Sequence, residues 1–424
     1  MRYCRVLRGK IRYADQGLGL AVGLGALLLV HVALGGTYWD YSEGVYAMTA
    51  HMILHGGDLY GTIVGAQPPG VFVAGAGVLA IHDSLEWLRF GVACFQLGAG
   101  LIAAVIVWRL TANRIAAVLT PAALLLTPWA VHEHGALIPE LVALPVLLAA
   151  ALLAADERRL PAAGVLCGLL PLIKVPLALP ALVLIMVSAG PRRTARWAAV
   201  TLVVGLGLTT LAGGTNVWRD VVYAQTQSGY RSLGSLAGYW AQAAWNLVGL
   251  LVPAAFAVLS RGRMRDRRLA ATSFGLAGAM LVLFLSNAKL GTSLNVTVAV
   301  EATLVPPAVC GIVLAGRWAR VACVVAVAFT LAQSISLVAD PRHPRPFLRL
   351  GSQPAWAIAM TREQLSAAVA AARRCPPGVP FGGAPLIAFA AGRQMAAGQP
   401  DQFIVSHARV LRSVQAEVAR TPVC

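Results

Sequence analysis

Charged residues are scarce in this 424-residue chain. They make up 12% of the sequence, about half of the roughly 25% that soluble globular proteins carry. This leaves too little polar surface for a water-soluble enzyme, and the hydrophobic content of 58% excludes a disordered chain. The class that remains is a polytopic membrane protein, provided that the apolar residues form segments of about 20 residues.

Lysines and closely spaced cysteines are also rare. Only Lys10, Lys174 and Lys289 are lysines among the 34 basic residues, and acidic residues number 17. The arginines form short clusters between apolar runs, which is typical of membrane proteins oriented against anionic lipid and not of nucleic-acid-binding proteins. None of the seven cysteines has C-x-x-C spacing, which argues against a zinc or redox motif.

Eleven apolar segments fit transmembrane helices, so the predicted fold class is an all-α polytopic membrane protein. They cover residues 17–36, 90–110, 115–131, 137–155, 160–173, 175–189, 197–213, 239–259, 270–286, 294–315 and 321–338. The N-terminus and alternate connections carry 19 basic residues, whereas the opposite connections carry five. The positive-inside rule then predicts a multi-pass protein with its N-terminus in the cytoplasm and its C-terminal tail outside. The alanine- and arginine-rich, lysine-poor composition suggests a GC-rich bacterial genome, so the expected location is the bacterial cytoplasmic membrane.

The stretch 37–89 does not fit this alternation. Its apolar run 70–81 has 12 residues, a length typical of an interfacial or re-entrant helix. We therefore expect residues 37–89 to form one long outer loop that lies on the membrane. Four apolar residues at helical spacing predict an interfacial helix within it: Val45, Met48, Met52 and Ile53.

Segments 160–173 and 175–189 are also unusual, because both are short and they join directly at Lys174. Broken helices of this kind are tolerated in membranes where the backbone lines a cavity and not lipid. Lys174 is therefore expected to lie at a break that faces the inside of the bundle.

The tail 340–424 differs from the transmembrane domain 1–339 in composition. We predict a small folded α/β domain outside the membrane, with a strand over 385–390 and a helix whose apolar face carries Val410, Leu411, Val414 and Val418. Cys375 and Cys424 are the cysteines placed on the oxidising outer side. A disulfide between them would close a loop of about 50 residues and add roughly 3–4 kcal/mol; two free thiols are the alternative.

Acidic residues are concentrated on the predicted outer side. Apart from the tail, nine lie outside and four inside, and because acidic residues contribute little to topology, this excess indicates chemistry at the outer face. Asp40 and Glu43, three residues apart after the first span, can share one face of a helix. A carboxylate held there, partly desolvated, can act as a general base; a solvated loop between belt aromatics is the alternative.

Three motifs follow the first predicted span: Asp40-Tyr-Ser-Glu43-Gly-Val-Tyr46-Ala, Ile53-Leu-His-Gly-Gly57-Asp-Leu-Tyr60 and Gln67-Pro68-Pro69-Gly70. Together they resemble the first outer loop of the GT-C glycosyltransferases, in particular the protein O-mannosyltransferase and aminoarabinose–lipid A transferase group (family 39-type). Two positions depart from that pattern. The acidic pair of the family is Ser42-Glu43 here, so the base is Glu43 or a displaced Asp40. The lysine usual before Pro-Pro is Gln67, which removes one phosphate contact.

The resemblance continues downstream. The segment His132-Glu133-His134-Gly-Ala-Leu-Ile-Pro-Glu140 is similar to the start of the fourth span, where Glu140 takes the position of a second acidic residue. Residues 163–174 resemble a glycine-rich short helix that ends in a basic residue, Lys174. Residues 287–301 resemble an outer-edge motif of some bacterial members.

This resemblance implies an inverting hexosyl- or pentosyltransferase at the outer face of the membrane. The donor would be a polyprenyl-phosphate-linked sugar, and the acceptor a hydroxyl of a lipid, a glycan or a protein. The candidate catalytic residues are Asp40, Glu43 and Glu140. The candidate donor-phosphate ligands are Lys174, Lys289 and Arg231, for which snorkelling at helix ends is the alternative. The candidate substrate-binding residues are Tyr46, Gln67, His132, His134, Asn295 and Glu301.

No cofactor is expected. His132-Glu133-His134 has the residue types of a metal site, but adjacent helical positions point in different directions, so a divalent metal is the lesser alternative. Broken helices and intramembrane charges also suit a secondary transporter or lipid flippase, and a non-catalytic scaffold is a third hypothesis. The sequence shows no internal repeat, and its charges lie at the outer edge; both observations favour a transferase.

Overall fold

A computed structural model of the chain describes residues 17–31, 37–39, 41–227, 232–286, 296–339 and 359–424. The elements up to the middle of the chain are α1 (Gly17–His31), β1 (Thr37–Trp39), α2 (Tyr41–Leu54), α3 (Pro69–Leu79), α4 (Leu85–Thr111), α5 (Arg114–Leu125), α6 (Pro128–His132), α7 (Pro139–Ala154), α8 (Leu160–Ile173), α9 (Ala178–Val187) and α10 (Pro191–Gly213). The remaining elements are α11 (Asn216–Trp218, continued by a π-helical turn, Arg219–Ala224), α12 (Leu233–Leu259), α13 (Arg267–Leu285), α14 (Val296–Leu314), α15 (Arg317–Ala339), β2 (Ala359–Thr361), α16 (Arg362–Arg373), α17 (Pro385–Ala391), α18 (Gln402–His407) and α19 (Arg412–Arg420).

Long apolar helices dominate the fold. By length and composition, five described helices can cross a membrane: α4, α10, α13, α14 and most of α15. Shorter apolar helices include α1, α5, α7 and α9. Helix α14 is buried along nearly its whole length, whereas α10 exposes apolar residues such as Val203 and Leu211. The helical fold class is therefore as predicted, while the count of eleven spans stays a prediction.

The arginine-rich connections meet at one end of the bundle. Arg109, at the end of α4, pairs with Asp266 before α13 at 2.5 Å, and Arg268 pairs with Glu157 at 2.5 Å. Because these residues come from connections that the charge pattern assigned to one side, the structure groups them as expected. Which side of a membrane they occupy stays a prediction.

The break between α8 and α9 lies at Lys174. This residue has an extended backbone (φ −155°, ψ 122°), and a 3-10 turn, Val175–Leu177, leads into α9. Pro176 in that turn lacks the N–H that a continuous helix would need. The sequence-based prediction of two short helices joined at Lys174 therefore agrees with the structure.

The tail is mostly helical where it is described, and the predicted strand over 385–390 is wrong. These residues form α17, which begins with Pro385 and ends before Gly392 in the left-handed conformation (φ 66°). Proline at the first helical position and glycine after the last are helix signals, and they outweigh the β-branched and aromatic residues in between. The β2 strand, Ala359–Thr361, pairs antiparallel with β1 near the start of the chain.

Helix α2 is present where the sequence predicts an interfacial helix, but its apolar face is not open to lipid. Val45 and Met48 are both buried, Met48 belongs to the main core, and α17 covers another side of the helix. A Cβ at Gly44 would lie 2.5 Å from the backbone nitrogen of Leu386, so the two helices are in backbone contact. The tail therefore packs directly on the first outer loop.

The predicted apolar helix face at the C-terminal end of the tail is formed only in part. Leu411 is buried, and Val414 and Val418 pack beside it. Val410 is exposed and lies before the helix, in the 3-10 turn Arg409–Leu411. Cys375 and Cys424, the pair expected from the sequence, are joined in a disulfide with a Cα–Cα distance of 5.8 Å.

Candidate functional site

Glu43 forms a buried ion pair with Arg89. Glu43 lies in the first turn of α2 and is 0% exposed. Arg89, near the start of α4, donates from Nε to Glu43 Oε1 at 2.7 Å, and its guanidinium lies 4.5 Å from the centre of the Tyr38 ring. In the sequence, Arg89 is one of the five basic residues of the connections predicted to lie outside. Nothing in its local sequence indicates a partner 46 residues away.

The second acid–base pair joins Glu140 and Lys174. Glu140 lies in the first turn of α7, where the helix dipole favours a negative charge, and its Oε1 accepts a hydrogen bond from Lys174 Nζ. The side chain of Lys174 is 16% exposed and that of Glu140 is 1% exposed. Glu140 Oε2 is buried without a hydrogen-bond partner among the described residues. Because buried polar atoms are normally paired, this oxygen is a candidate contact for a bound molecule.

Tyr46 lies on the same helix as Glu43, within the electrostatic influence of Glu140. It follows Glu43 by three residues on α2, and its ring centre is 5.8 Å from that of Phe72. Burial raises the pKa of Tyr46, and the negative charges of Glu140 and Asp401 raise it further. The hydroxyl group is therefore protonated at neutral pH and lies within the electrostatic influence of Glu140 and Asp401.

The Gln67–Gly70 turn lies against the end of α8. A Cβ at Gly70 would be 2.7 Å from the carbonyl oxygen of Leu172 and 3.0 Å from the Cα of Ile173, so a larger residue does not fit there. Gln67 is half-buried, and its carbonyl accepts a hydrogen bond from the Tyr60 hydroxyl at 2.7 Å. The motif before α3 is thus adjacent to the helix break that carries Lys174.

The loop that leads into this turn is held by distant residues. The Gln399 side chain of the tail accepts a hydrogen bond from Val64 N at 3.0 Å and donates one to the Thr62 carbonyl at 2.7 Å. Asp220, after α11, accepts from Gly65 N at 3.3 Å. Both partners come from far along the chain, so sequence spacing does not reveal them.

His132 and His134 point to different partners, as expected for adjacent positions. His132 Nδ1 lies 3.0 Å from Glu133 Oε1, whereas the His134 ring lies 5.7 Å from that of His31. Burial lowers the pKa of His134 to about 3, and the charges of Arg89 and His31 contribute in the same direction. Potential metal ligands converge elsewhere among the described residues, at the end of α2: His51, His55 and Asp83.

Glu301 is fully buried on α14 and contacts the start of α6. Its Oε2 accepts a hydrogen bond from the backbone N–H of Trp129 at 2.9 Å. This carboxylate therefore holds a short helix in place; its predicted partner Lys289 lies outside the described residues. Three other predicted site residues also lie outside them: Asp40, Arg231 and Asn295.

Two solved structures of ArnT from Cupriavidus metallidurans have the same fold as this chain. For the structure bound to undecaprenyl phosphate, the TM-score is 0.65 at 17% sequence identity, with 92% of this chain and 87% of that chain covered. For the apo structure, the TM-score is 0.60 at 17% identity, with 94% and 89% covered. No family model and no curated protein matches the sequence. The chain therefore shares the fold of ArnT over most of its length.

Proposed function

We propose that this chain is an inverting membrane glycosyltransferase. It would move a sugar from a polyprenyl-phosphate-linked donor to an acceptor hydroxyl at the outer face of the cytoplasmic membrane. The observation that carries the proposal is the Glu140–Lys174 pair at the helix break, beside the Gln67–Gly70 turn. The shared fold with ArnT, which was solved bound to undecaprenyl phosphate, supports a polyprenyl phosphate as the carrier.

Lys174 is the residue we assign to the donor phosphate. A partly exposed ammonium group on an otherwise apolar wall attracts a phosphate and stabilises the charge that grows on it as the sugar leaves. Glu140 keeps the ammonium group in position before the lipid binds. We assign supporting contacts to Lys289 and Arg231, the other cations of the outer connections.

The transfer step needs one base. The acceptor hydroxyl attacks the anomeric carbon, the bond from that carbon to the phosphate oxygen breaks, and the polyprenyl phosphate leaves with the bonding electrons. The hydroxyl proton passes to a carboxylate, and a phosphate leaving group needs no general acid. Because Glu43 is buried and paired with Arg89, we assign the base to Asp40 and a positioning role to Glu43. Tyr46, Gln67, His132, His134 and Asn295 would contact the sugar or the acceptor.

A transfer assay in detergent with radiolabelled polyprenyl-phosphate sugars tests this proposal. Asp40→Asn is expected to lower kcat at least about 100-fold with little change in KM, since general-base catalysis contributes 10²–10⁴-fold. Lys174→Met is expected to raise KM for the donor as well. Arg261→Gln, at an exposed arginine on the other end of the bundle, is the matched control.

Full activity of the Asp40→Asn, Glu43→Gln double variant would overturn the mechanism. Movement of the labelled lipid between leaflets of a proteoliposome, without transfer to any acceptor, would favour the flippase alternative. Retained transfer in Lys174→Met would remove this lysine from the donor site.

A further inference from the structure

Two histidines and an aspartate converge at the outer end of α2, away from the carboxylate pairs. His51 lies in the last turn of α2, and His55 follows one helical turn later, since its backbone N–H donates to the His51 carbonyl at 3.1 Å. Residues four apart lie on the same helix face. Asp83 reaches them from the connection between α3 and α4.

Asp83 is hydrogen-bonded to both histidines, and the distances between the three side chains are close to those of a metal-ligand set. Asp83 Oδ1 is 3.0 Å from His51 Nδ1, and Asp83 Oδ2 is 2.8 Å from His55 Nε2. All three ligand atoms lie within 4.8 Å of one another. Zinc–nitrogen bonds of about 2.0 Å in a tetrahedron separate neighbouring ligand atoms by roughly 3.3 Å. Small side-chain movements would therefore admit an ion between them.

The cluster is accessible and leaves room for another ligand. The side chains of His51, His55 and Asp83 are 24%, 59% and 31% exposed. His51 and Asp83 line a cavity of about 720 Å³ between the first outer loop and the tail. A water molecule in this cavity can be the fourth ligand, as in zinc sites with three protein ligands.

We propose that His51, His55 and Asp83 bind a divalent transition metal of the zinc class, with water as the fourth ligand. Two imidazoles and a carboxylate form a donor set that zinc accepts and that calcium and magnesium, which prefer oxygen ligands, do not. Eight residues separate His51 from Glu43, or roughly 12 Å along the helix axis. The metal would therefore tie α2 to the α3–α4 connection without taking part in sugar transfer.

Zinc binding to the full-length protein, purified in detergent without a histidine tag, tests the proposal. After treatment with a chelator, the wild type is expected to bind about one Zn²⁺ per chain by elemental analysis and to gain several degrees in melting temperature. Co²⁺ added instead is expected to give the strong visible absorption of a four-coordinate site. The double variant His51→Gln, His55→Gln is expected to lose the bound metal and the thermal shift. His82→Gln, at an exposed histidine beside Asp83, is expected to retain both.

Equal Zn²⁺ binding by the double variant and the wild type would overturn the assignment of ligands. Failure of the monodisperse wild type to bind Zn²⁺ stoichiometrically would overturn the site itself. If the double variant does not fold, the Co²⁺ spectrum of the wild type decides, since octahedral or absent absorption contradicts a four-coordinate site. The sugar-transfer assay is a separate measurement, so failure of either proposal is distinguishable from failure of the other.

Discussion

Two buried carboxylates of the candidate site each have a basic partner from a distant segment. Arg89 partners Glu43, and Lys174 partners Glu140. Removing one member of a buried pair leaves an uncompensated charge, which is much worse for stability than replacing both. These side chains therefore stabilise the fold independently of any role in catalysis.

Lys174→Met is expected to destabilise the folded protein by about 3 kcal/mol, because it leaves the Glu140 carboxylate buried without a counter-charge. The double variant Lys174→Met, Glu140→Gln removes both charges and is expected to recover most of that loss. Thermal unfolding in detergent measures both effects, with Arg261→Gln as the unchanged control. A single variant as stable as the wild type would contradict a buried pair.

The buried His134 is expected to lower the free energy of unfolding in mild acid. Its pKa is about 3 in the folded protein and roughly 6.5 in the unfolded chain. Between these two values the unfolded chain binds a proton at this histidine and the folded chain does not. Stability is unaffected above pH 6.5 and falls as the pH drops from there towards 3. At pH 5 the loss is about 2 kcal/mol.

Unfolding followed from pH 7.5 to pH 5 measures this effect. His134→Asn is expected to flatten the pH dependence, whereas the exposed His82→Gln is expected to leave it unchanged. An identical slope in wild type and His134→Asn would assign the acid sensitivity to another group.

At the scale of elements, α2 is the helix that joins the candidate site to the tail. It packs against α3 on one side and α17 on another, and it carries Glu43, Tyr46 and His51. The close approach of Gly44 to Leu386 determines the distance between α2 and α17 of the tail. A change on this face therefore affects the tail and the candidate site together.

Gly44→Ala is expected to destabilise the protein, because a Cβ 2.5 Å from a backbone nitrogen must displace α17. The same substitution at Gly98, which has open space in the interior of α4, is expected to be neutral or to stabilise by up to about 1 kcal/mol through helix propensity. Melting temperatures and protease sensitivity of the tail measure the difference. Equal behaviour of the two variants would contradict the contact.

The helix break at Lys174 could be predicted from the sequence because its signals are local: two short apolar runs and a proline. The helix α17 also has local signals, Pro385 at its start and Gly392 after its end, but Ile387 and Phe389 suit a strand as well and led to the wrong prediction. The β1–β2 pair joins residues 37–39 to 359–361, and neither three-residue strand has a period to detect.

At the scale of the whole molecule, the tail is attached to the outer loop by several independent contacts. They are the β1–β2 pair, the α2–α17 packing, Gln399 and a small apolar cluster with Val64 and Leu411. The disulfide joins two points within the tail and not the tail to the bundle. Its loss is therefore expected to loosen the tail without releasing it.

Cys424→Ser is expected to reduce the stability of the tail by roughly 3–4 kcal/mol, the chain-entropy value for a loop of this length. Limited proteolysis under non-reducing conditions measures this as earlier cleavage in residues 375–424. The exposed free cysteine Cys94 provides the control Cys94→Ser, which is expected to behave as the wild type. Unchanged proteolysis of Cys424→Ser would show that the other contacts suffice.

The sequence names single residues of the candidate site, whereas the ion pairs between them are seen only in the structure. Glu140 and Lys174 were each named from the sequence, yet their contact depends on how α7 and α8 pack. Arg89 and Gln399 were missed because their partners lie 46 and 335 residues away. Helical patterns identify elements, whereas side-chain pairing across elements is decided by packing that the patterns do not contain.

The pairing of β1 with β2 has a consequence for biosynthesis. The ribosome makes residues 37–39 early and their partner 359–361 only after most of the chain. Gln399, which holds the loop before the Gln67 turn, is made later still. During synthesis the surface around α2 therefore stays incomplete until the tail has been made, so a nascent chain cannot form this site before its last residues are added.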